Sequence, residues 1–268
     1  MNIKIAIAGC CGRMGRSIAS LALAGKKFEI IGATDMRSHP DIGTSLGKII
    51  GNEALDIKIQ DDLSVAAKGA DVIIDFTAPI ATLLNLKVAR DEKIPIVIGT
   101  TGLMDEEQRA IESSSKVIPV LVSSNMSIGI NLLFRLVPEV ASALGEDYDI
   151  EIIEAHHNKK KDSPSGTAMT LAQRIAEAKG KRVKDVVVCG REGNVGQRSK
   201  NEIGIHAVRA GGIIGEHTVI FASNDERIEI THRASSRDIL ARGALCAAKY
   251  IVEKSPGLYN MQNVIEGD

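Results

Sequence analysis

The sequence lacks tryptophan and is poor in aromatic residues, with three tyrosines and four phenylalanines among 268 residues. Its formal net charge is −1, because 33 basic side chains are balanced by 34 acidic ones. A nucleic-acid-binding protein usually offers a basic surface and aromatic side chains on which bases stack. The composition therefore argues against a nucleic-acid partner.

The sequence also lacks long hydrophobic runs and cysteines at the spacing of metal or redox sites. No stretch approaches the ~20 apolar residues of a membrane span, and the opening MNIKIAIAG reaches glycine too early for a signal peptide. The four cysteines include one adjacent pair but no C-x-x-C spacing, so we interpret them as reduced, structural thiols and predict no metal site. We expect a cytoplasmic protein with no membrane partner.

The first half of the chain alternates short apolar segments with helical patterns. KIAIAG, FEIIGATD, DVIIDFTAP, IPIVIGTTG and VIPVLVSSNMS are apolar on both faces and end in small or polar residues, as buried parallel strands do. Helical patterns cover residues 13–24 and 80–93. This βαβ series predicts a Rossmann-like, doubly wound parallel sheet with helices on both faces.

The pattern changes after Asn125. It predicts a helix over residues 127–144, a strand at YDIEIIEAHH, a second helix over 166–179 and a long loop over 180–201. Three strands follow, IGIHAVRAG, HTVIFAS and RIEITHRA, of which the last two form an apparent hairpin across NDE before a final helix over 236–253. Their alternation predicts an α+β domain with a mixed, largely antiparallel sheet.

Glycines follow the first predicted strand in GCCGRMGRS. Gly9, Gly12 and Gly15 are spaced G-x-x-G-x-x-G, and Asp35 ends the second strand twenty positions after Gly15. Glycines at a strand-to-helix junction let the backbone approach a pyrophosphate, and an acid at the second strand accepts hydrogen bonds from the adenine ribose. The agreement of strand, helix and acid predicts a dinucleotide site.

Three further strand ends fit the same site. Asp75–Pro79 (DFTAP), Gly99–Gly102 (GTTG) and Ser123–Ser127 (SSNMS) each follow a predicted strand. In doubly wound sheets, ligands bind beyond the carboxyl ends of the strands. Any one of the three is an ordinary turn taken alone, but together they predict a cofactor channel.

The segment EAHHNKKKDSPSGTA, residues 154–168, contains a second constellation. Ser165 is suited to cap a helix whose first amides belong to Gly166 and Thr167, and such a helix terminus binds a carboxylate. Lys160 adds a positive charge five residues before Ser165, while a histidine at the end of the preceding strand can donate a proton. The set suits reduction of a small carboxylic acid.

The same segment matches E-x-H-H-x-x-K-x-D-x-P-S-G-T, and with it the chain resembles the dihydrodipicolinate reductase family. The likeness covers essentially the whole chain, including AGCCGRMGRS, SSNMSIGIN, GREGNVGQR, AVRAGGIIGEHTVIF and IEITHRASSRDILARGAL. It implies NADH- or NADPH-dependent formation of tetrahydrodipicolinate, in the diaminopimelate route to lysine. It also implies a homotetramer joined through the sheet of the second domain.

The resemblance implies a role for individual residues. His156 would be the general acid, and Lys160 would assist catalysis and substrate binding. The carboxylates of a dicarboxylate substrate would be bound by His157, Ser165, Gly166 and Thr167. The cofactor would lie along Gly9, Gly12, Arg13, Met14, Gly15, Asp35, Phe76, Gly99, Thr100, Thr101, Gly102, Ser124, Asn125 and Met126. Residues 1–126 and 237–268 would form the dinucleotide-binding domain, and residues 127–236 the substrate-binding and oligomerisation domain.

The sequence departs from some family members directly after the acidic residue. Where those members carry an arginine suited to the 2′-phosphate of NADP, this chain has Met36, with Arg37 one position later. Asp35 favours NAD by binding the ribose hydroxyls, and Arg13 or Arg37 can offset its repulsion of a phosphate. We expect use of both cofactors, with NADH at least as good.

Other interpretations stay open from the residues alone. A different dehydrogenase for a dicarboxylic amino-acid-like substrate, or a non-catalytic dinucleotide sensor, would keep the glycine loop but not require the His-His and Pro-Ser-Gly-Thr set. His206, His217 and His232 lie in predicted strands, so we interpret them as sheet or interface residues. Arg209 either positions the loop near the substrate or packs against the sheet.

Overall fold

The computed structural model describes residues 2–267. The chain divides into two compact units, the first made of the residues up to Ile128 and from Asp238 onward, the second of Gly129–Arg237. The strands are β1 (Ile3–Ala8), β2 (Phe28–Thr34), β3 (Ile59–Gln60), β4 (Val72–Asp75), β5 (Ile96–Ile98), β6 (Pro119–Val122), β7 (Asp149–His156), β8 (Val187–Cys189), β9 (Ile203–Arg209), β10 (Glu216–Ala222), β11 (Arg227–Arg233) and β12 (Gly257–Tyr259).

The helices between these strands range from one turn to almost five turns. They are α1 (Arg13–Gly25), α2 (Leu46–Ile50), α3 (Leu63–Ala66), α4 (Pro79–Asp91), α5 (Asp105–Ser115), α6 (Ile128–Leu144), α7 (Gly166–Ala178), α8 (Val183–Val186), α9 (Asp238–Ile251) and α10 (Met261–Glu266). Within the described residues, none of them is both long and apolar enough to cross a bilayer.

A seven-stranded sheet forms the first unit, in the order β12-β6-β5-β4-β1-β2-β3. All of its pairings are parallel, because each connection passes through a helix or loop long enough to return the chain to the same edge. The order reverses between β1 and β4, which makes a crevice at the carboxyl ends of these strands. The predicted Rossmann-like sheet is confirmed.

Hydrophobic side chains fill both faces of this sheet. Ile5 and Ile7 of β1 pack in one cluster with Ile18 of α1, and Ile73 and Ile96 of the neighbouring strands pack in the cluster on the other face. A strand buried on both faces carries apolar residues at every position, which is why these strands show continuous apolar runs rather than alternation.

The second unit contains a five-stranded mixed sheet in the order β11-β10-β7-β9-β8. The predicted hairpin is confirmed, since β10 pairs with β11 in antiparallel register. The pairing of β10 with β7 is also antiparallel, but β7 with β9 and β8 with β9 are parallel. Two of the four strand pairings are therefore antiparallel, fewer than predicted. Strands β7 and β9 can be parallel because helix α7 lies between them in the chain and returns it to the edge of the sheet where β7 began.

One prediction for this unit was wrong. Residues 180–201 were expected to form a long loop, yet they contain α8 and the edge strand β8. Strand β8 consists of Val187–Cys189 and is paired with Ile203–Ile205 of β9. A three-residue edge strand has too little local pattern to be visible in the sequence, since its stability comes from the strand beside it.

Candidate functional site

In the first unit, the loop between β1 and α1 depends on two glycines. Gly9 has a φ of +80°, and a Cβ atom there would lie 2.6 Å from the carbonyl oxygen of Phe76. A Cβ atom on Gly15 would lie 2.2 Å from the carbonyl oxygen of Gly9. Only glycine permits both the left-handed backbone and this close packing of helix on loop.

The carboxylate of Asp35 lies against this loop. Its Oδ2 accepts a hydrogen bond from the amide of Cys11 at 2.9 Å, and its Oδ1 accepts one from the amide of Met36 at 2.9 Å. The side chain directly after β2 is therefore fixed beside the loop that follows β1. This is the arrangement in which an acid binds ribose hydroxyls next to a pyrophosphate site.

A groove of about 1060 Å³ opens at the carboxyl ends of β1, β2 and β4. Four of the predicted cofactor residues line it, namely Gly9, Gly12, Asp35 and Phe76. The groove is also lined by Thr77 of the predicted DFTAP segment, by Arg37, which the sequence pattern related to a phosphate, and by Cys11, Met36 and His39, to which it gave no binding role. Arg37 is almost fully exposed, and its Nε lies 3.5 Å from Asp61 Oδ2, an ion pair at the surface of the groove.

The segment after β5 lies under the groove rather than along it. A Cβ atom on Gly99 would lie 2.2 Å from the ring of Phe76, so the ring rests directly on the glycine backbone. Thr100 is buried, and its hydroxyl accepts hydrogen bonds from the Thr77 amide at 3.1 Å and the Thr82 hydroxyl at 2.9 Å. Thr100 thus joins the ends of β4 and β5.

The remaining predicted cofactor residues do not line this groove. Arg13 is exposed and Met14 half-buried on the first turn of α1. Thr101, Gly102 and Ser124 are exposed, and Asn125 accepts a hydrogen bond from the Ser127 amide at 2.9 Å. The Met126 side chain is buried in the core of the first unit, which leaves only its backbone for a ligand.

In the second unit, Glu154 organises the predicted catalytic segment. Its side chain is 0% exposed, and its carboxylate accepts four hydrogen bonds from neighbouring groups of the protein. Two come from the Arg209 guanidinium at 2.7 Å each, one from the Ser165 amide at 2.9 Å, and one joins it to His156 Nδ1 at 2.6 Å. Burial opposes ionisation, but the hydrogen bonds from Arg209 and His156 outweigh it and hold the pKa of Glu154 below its usual range.

His156 is placed by this carboxylate with its other ring nitrogen left for a ligand. Because Glu154 accepts from Nδ1, the imidazole donates or accepts a proton through Nε2. A Cβ atom on the buried Gly215 would lie 3.2 Å from Nε2, so a larger residue there would crowd this atom. Burial, together with the charges of Lys160 and Arg209, lowers the pKa of His156 although Glu154 acts in the opposite direction.

His217 belongs to the same cluster. It lies on β10 directly opposite Glu154, and its ring meets that of His156 edge to face, with 5.3 Å between the centroids. Its Nε2 is 3.1 Å from the Ser165 hydroxyl. Burial, with the charge of a protonated His156, lowers the pKa of His217 to about 3, so this ring stays neutral and acts through packing and hydrogen bonding.

Ser165 caps helix α7 as predicted. Its hydroxyl accepts a hydrogen bond from the Ala168 amide at 3.2 Å. Nothing within 4 Å would meet a Cβ atom on Gly166, so the space beside the first helical residue is open. The helix N-terminus therefore combines backbone amides, positive dipole and open space, which suits a carboxylate.

Lys160 differs from the two lysines beside it. Its side chain is only 20% exposed and its Nζ lies 2.9 Å from Asp162 Oδ2, whereas Lys159 and Lys161 are exposed. The loop that carries it is held by Arg209, whose Nη2 donates to the carbonyl of Asp162 at 2.8 Å. Arg209 thus does position this loop, one of the two roles left open by the sequence.

His157 presents an unsatisfied atom near this loop. Its Nδ1 is buried, and no hydrogen-bond partner for it exists among the described residues. A buried polar atom of this kind costs free energy unless a ligand or water satisfies it. The arrangement of His156, His157, Lys160 and the start of α7 can hold an anionic ligand and exchange a proton with it.

Family models match both parts of the chain. The model described as dihydrodipicolinate reductase, N-terminus, matches residues 3–126, and the one described as dihydrodipicolinate reductase, C-terminus, matches residues 129–265. The chain belongs to the dihydrodipicolinate reductase family. Membership confirms the resemblance inferred from the motifs.

Relatives within this family match over almost the whole chain. Two proteins named 4-hydroxy-tetrahydrodipicolinate reductase, from Trichlorobacter lovleyi and Syntrophus aciditrophicus, are 48% and 46% identical over 263 residues, which is 98% of each chain. The solved structure of dipicolinate-bound dihydrodipicolinate reductase from Paenisporosarcina sp. TG-14 has a TM-score of 0.77 and 25% identity, covering 97% of this chain and 98% of that one.

The sequence pattern did not assign a site role to three residues that lie together around His156 in the second unit. Glu154 received no role, His217 was interpreted as a sheet residue, and Arg209 was left undecided. Glu154 could have been found, because residues two apart on a strand lie on one face and Glu154 therefore shares the face of His156. His217 and Arg209 carry no such local indication.

Proposed function

We propose that this chain reduces 4-hydroxy-tetrahydrodipicolinate to tetrahydrodipicolinate with NADH or NADPH, in the diaminopimelate route to lysine. The proposal is carried by the cluster that Glu154 organises, in which His156 Nε2, Lys160 and the N-terminus of α7 provide a proton donor and a carboxylate site. Family membership gives the same reaction, since the relatives are named for it. The domain roles follow, with dinucleotide binding by residues 1–126 and 237–268, and substrate binding by 127–236.

The groove of the first unit fits a nicotinamide dinucleotide. Gly9 and Gly15 bring the β1–α1 loop and helix close together, Gly12 is exposed at the start of α1, and Asp35 is fixed beside the loop. We propose that the pyrophosphate binds at the start of α1 and the adenine ribose at Asp35. Bound NADH or NADPH would supply the hydride for the reduction.

Residues of the second unit would bind the substrate and manage its proton. Dipicolinate, the planar dicarboxylate bound in the Paenisporosarcina enzyme, resembles the ring of the proposed substrate. We propose that one carboxylate is held by Ser165, Gly166 and Thr167 at the start of α7, and that His157 and Lys160 bind the dicarboxylate beside it. Loss of the 4-hydroxyl as water would leave a conjugated ring, hydride from the cofactor would add to a carbon of that ring, and His156 Nε2 would donate a proton to the electron-rich centre that results.

The reaction can be tested directly. Pyruvate and aspartate semialdehyde are condensed by a separate aldol-type enzyme, and NADH oxidation on addition of this protein is followed by absorbance. We expect rapid oxidation that depends on both precursors. No oxidation with the condensation product, but NADH oxidation with a dicarboxylic imino acid, or with a dicarboxylic 2-oxo acid and ammonia, would favour the alternative dehydrogenase and contradict the proposal.

Replacement of Lys160 should separate the active-site lysine from its neighbours. Lys160→Ala removes a half-buried ammonium that acts on His156, so we expect at least tenfold weaker binding of pyridine-2,6-dicarboxylate and a lower kcat. Lys159→Ala is the matched control, because Lys159 is exposed one residue away, and it should change neither value by more than twofold. Inhibition constants measured for both variants make the comparison, and equal behaviour would show that the three lysines are only a solvated surface.

Replacement of Asp35 should change cofactor preference. A hydrogen bond to a charged group is worth about 1.5–3 kcal/mol, so Asp35→Asn, which keeps the shape and removes the charge, should weaken NADH by roughly 10- to 100-fold. The binding of NADPH should be weakened less, because the repulsion between Asp35 and the 2′-phosphate of NADPH is removed at the same time. Fluorescence titration of both cofactors measures this, with Asp91→Asn, at an exposed position at the end of α4, as the control. Equal weakening of both cofactors would contradict the role of Asp35.

We also propose a cytoplasmic homotetramer assembled through the sheet of the second unit. Helices α6 and α7 pack on the face of this sheet that carries Ile150 and Ile152. The opposite face bears Ile153 and Val208, which are 38% and 43% exposed. Apolar side chains grouped on an open sheet face support a contact with another subunit, which sedimentation velocity would detect.

A further inference from the structure

Two adjacent thiols lie at the base of the glycine loop in the first unit. Cys10 and Cys11 are both buried and free, with their Sγ atoms 3.8 Å apart. A disulfide between neighbours is disfavoured, because adjacent Cα atoms are about 3.8 Å apart and disulfides usually join Cα atoms at about 4.4–6.8 Å. The proposed reaction gives these thiols no role.

The sulfur separation matches the geometry of a tetrahedral metal site. Two thiolates bound to zinc at about 2.3 Å with tetrahedral angles are separated by roughly 3.8 Å. Cys10 and Cys11 hold this distance without any metal. The two sulfurs are therefore spaced as two ligands of one tetrahedral ion would be.

Further ligand atoms surround the pair. A carboxylate oxygen of Asp35 lies within 4.8 Å of both sulfurs, and ligand atoms of His39 and Asp41 lie within 4.8 Å of the Cys11 sulfur. Asp35 is held in place by the amide of Cys11 at 2.9 Å. Two cysteines, a carboxylate and a water as fourth ligand would make a donor set that suits zinc.

We propose that Cys10, Cys11 and Asp35 form a binding site for a thiophilic divalent cation such as Zn²⁺, and that this cation and the dinucleotide exclude each other. Each cysteine that binds the metal releases its proton to solvent and ligates as the thiolate. Exclusion follows because the metal takes the carboxylate that would otherwise bind the ribose, and because Cys11, Asp35 and His39 all line the cofactor groove. This second half rests on the proposed function.

The sequence pattern predicted no metal site because the cysteines lack a C-x-x-C spacing. The proposed site differs from such a motif, since its third ligand would be Asp35, directly after β2 and twenty-four residues after Cys11. The fold, rather than a local motif, brings the ligands together.

Metal binding can be measured without any enzymatic assay. Untagged protein is reduced with a phosphine, freed of metal and titrated with Co²⁺, whose thiolate complexes absorb in the near ultraviolet. We expect one Co²⁺ per chain with a sulfur-to-cobalt band that Zn²⁺ abolishes by displacement. Wild-type protein with no such band would overturn the site.

Variants assign the band to the two thiols. Cys11→Ala should weaken Co²⁺ binding at least tenfold, and Cys10→Ala/Cys11→Ala should abolish the band. Cys189→Ala/Cys246→Ala is the matched control, because both of these cysteines are exposed and lie outside the cluster, and it should keep the band unchanged. A band that survives in Cys11→Ala but disappears in the control would overturn the proposal, and circular dichroism establishes that each variant is folded.

Competition is measured separately by NADH fluorescence. Saturating Zn²⁺ should raise the apparent Kd for NADH at least tenfold in the wild type and less than twofold in Cys10→Ala/Cys11→Ala. Simultaneous binding of Zn²⁺ and NADH without loss of affinity would overturn the exclusion. A protein that shows the cobalt band but never binds NADH would support the metal site and contradict the proposed function, so the two failures are distinguishable.

Discussion

His156→Gln should lower kcat by roughly 100- to 10,000-fold, the usual contribution of a positioned general acid. Glutamine keeps a polar side chain of similar length near Glu154 but has no group that can transfer a proton near neutral pH. Binding of pyridine-2,6-dicarboxylate should change by less than fivefold, because Lys160 and the start of α7 remain. Steady-state kinetics with saturating substrate and equilibrium binding of the inhibitor measure the two quantities.

The pH profile gives an independent test of the same role. Burial holds the pKa of His156 below its ordinary value in the ligand-free protein, and kcat/KM reports the free enzyme. The wild-type kcat/KM should therefore fall as the pH rises through a value below about 6.5. Bound carboxylates favour the charged ring, so the corresponding fall in kcat should occur at higher pH.

His157→Gln is the matched control for this experiment. His157 is next in the chain but lacks the contact with Glu154, so its replacement should raise KM for the substrate and leave the fall of kcat at high pH unchanged. In His156→Gln, kcat should no longer show that fall. If His156→Gln keeps both a near-normal kcat and the fall of kcat at high pH, the proton comes from another group.

Glu154→Met should destabilise the second unit by about 3–5 kcal/mol, the usual cost of removing one partner of a buried ion pair. The change leaves the Arg209 guanidinium without its carboxylate and the Ser165 amide without its acceptor. It also frees His156 Nδ1, so any folded protein should have low kcat. Urea unfolding followed by circular dichroism measures the free energy of unfolding.

A double-mutant cycle separates the ion pair from the loss of the carboxylate. Arg209→Met should also be strongly destabilising, because it leaves Glu154 buried and unpaired. The double variant Glu154→Met/Arg209→Met should be less destabilised than the sum of the two single changes, since no unpaired charge remains. Glu177→Gln, at an exposed position on α7, is the control and should change stability by less than about 1 kcal/mol. Additive losses would show that the two groups do not act as a pair.

The same carboxylate predicts a loss of stability in acid. The pKa of Glu154 is lower in the folded protein than in the unfolded chain. Its contribution is therefore fully present above the unfolded value of about 4.3 and is lost as the pH falls through the folded value. Glu154→Met should show a correspondingly weaker dependence of unfolding free energy on pH in this range, and an unchanged dependence would contradict the assignment.

Much of the first unit could be predicted from the sequence, because its information is local. Each buried strand is a continuous apolar run, and GCCGRMGRS combines a strand end, glycines and a helix start within a few residues. The helices α2, α3, α5 and α10 and the short strands β3 and β12 were not predicted. A strand of two or three residues has little pattern of its own and exists because a neighbouring strand supplies its hydrogen bonds.

The sequence by itself determined the reaction class, and it predicted the segment that we propose to carry the reaction. In Glu154–Ala168 the histidine pair, the lysine and the helix cap lie within fifteen residues, so their pattern can be recognised in the sequence without knowledge of the fold. Even the relation between Glu154 and His156 is local, since positions two apart on a strand share a face.

Only the tertiary structure decided how that segment is held. Arg209 and His217 lie more than fifty residues beyond the groups they contact, Glu154 and Ser165. They reach them because β9 and β10 pair on either side of β7 in a register that places Arg209 beside His156 and His217 beside Glu154. Strand order and register depend on packing across the whole sheet rather than on local periodicity, so neither partner could be identified before the sheet was formed.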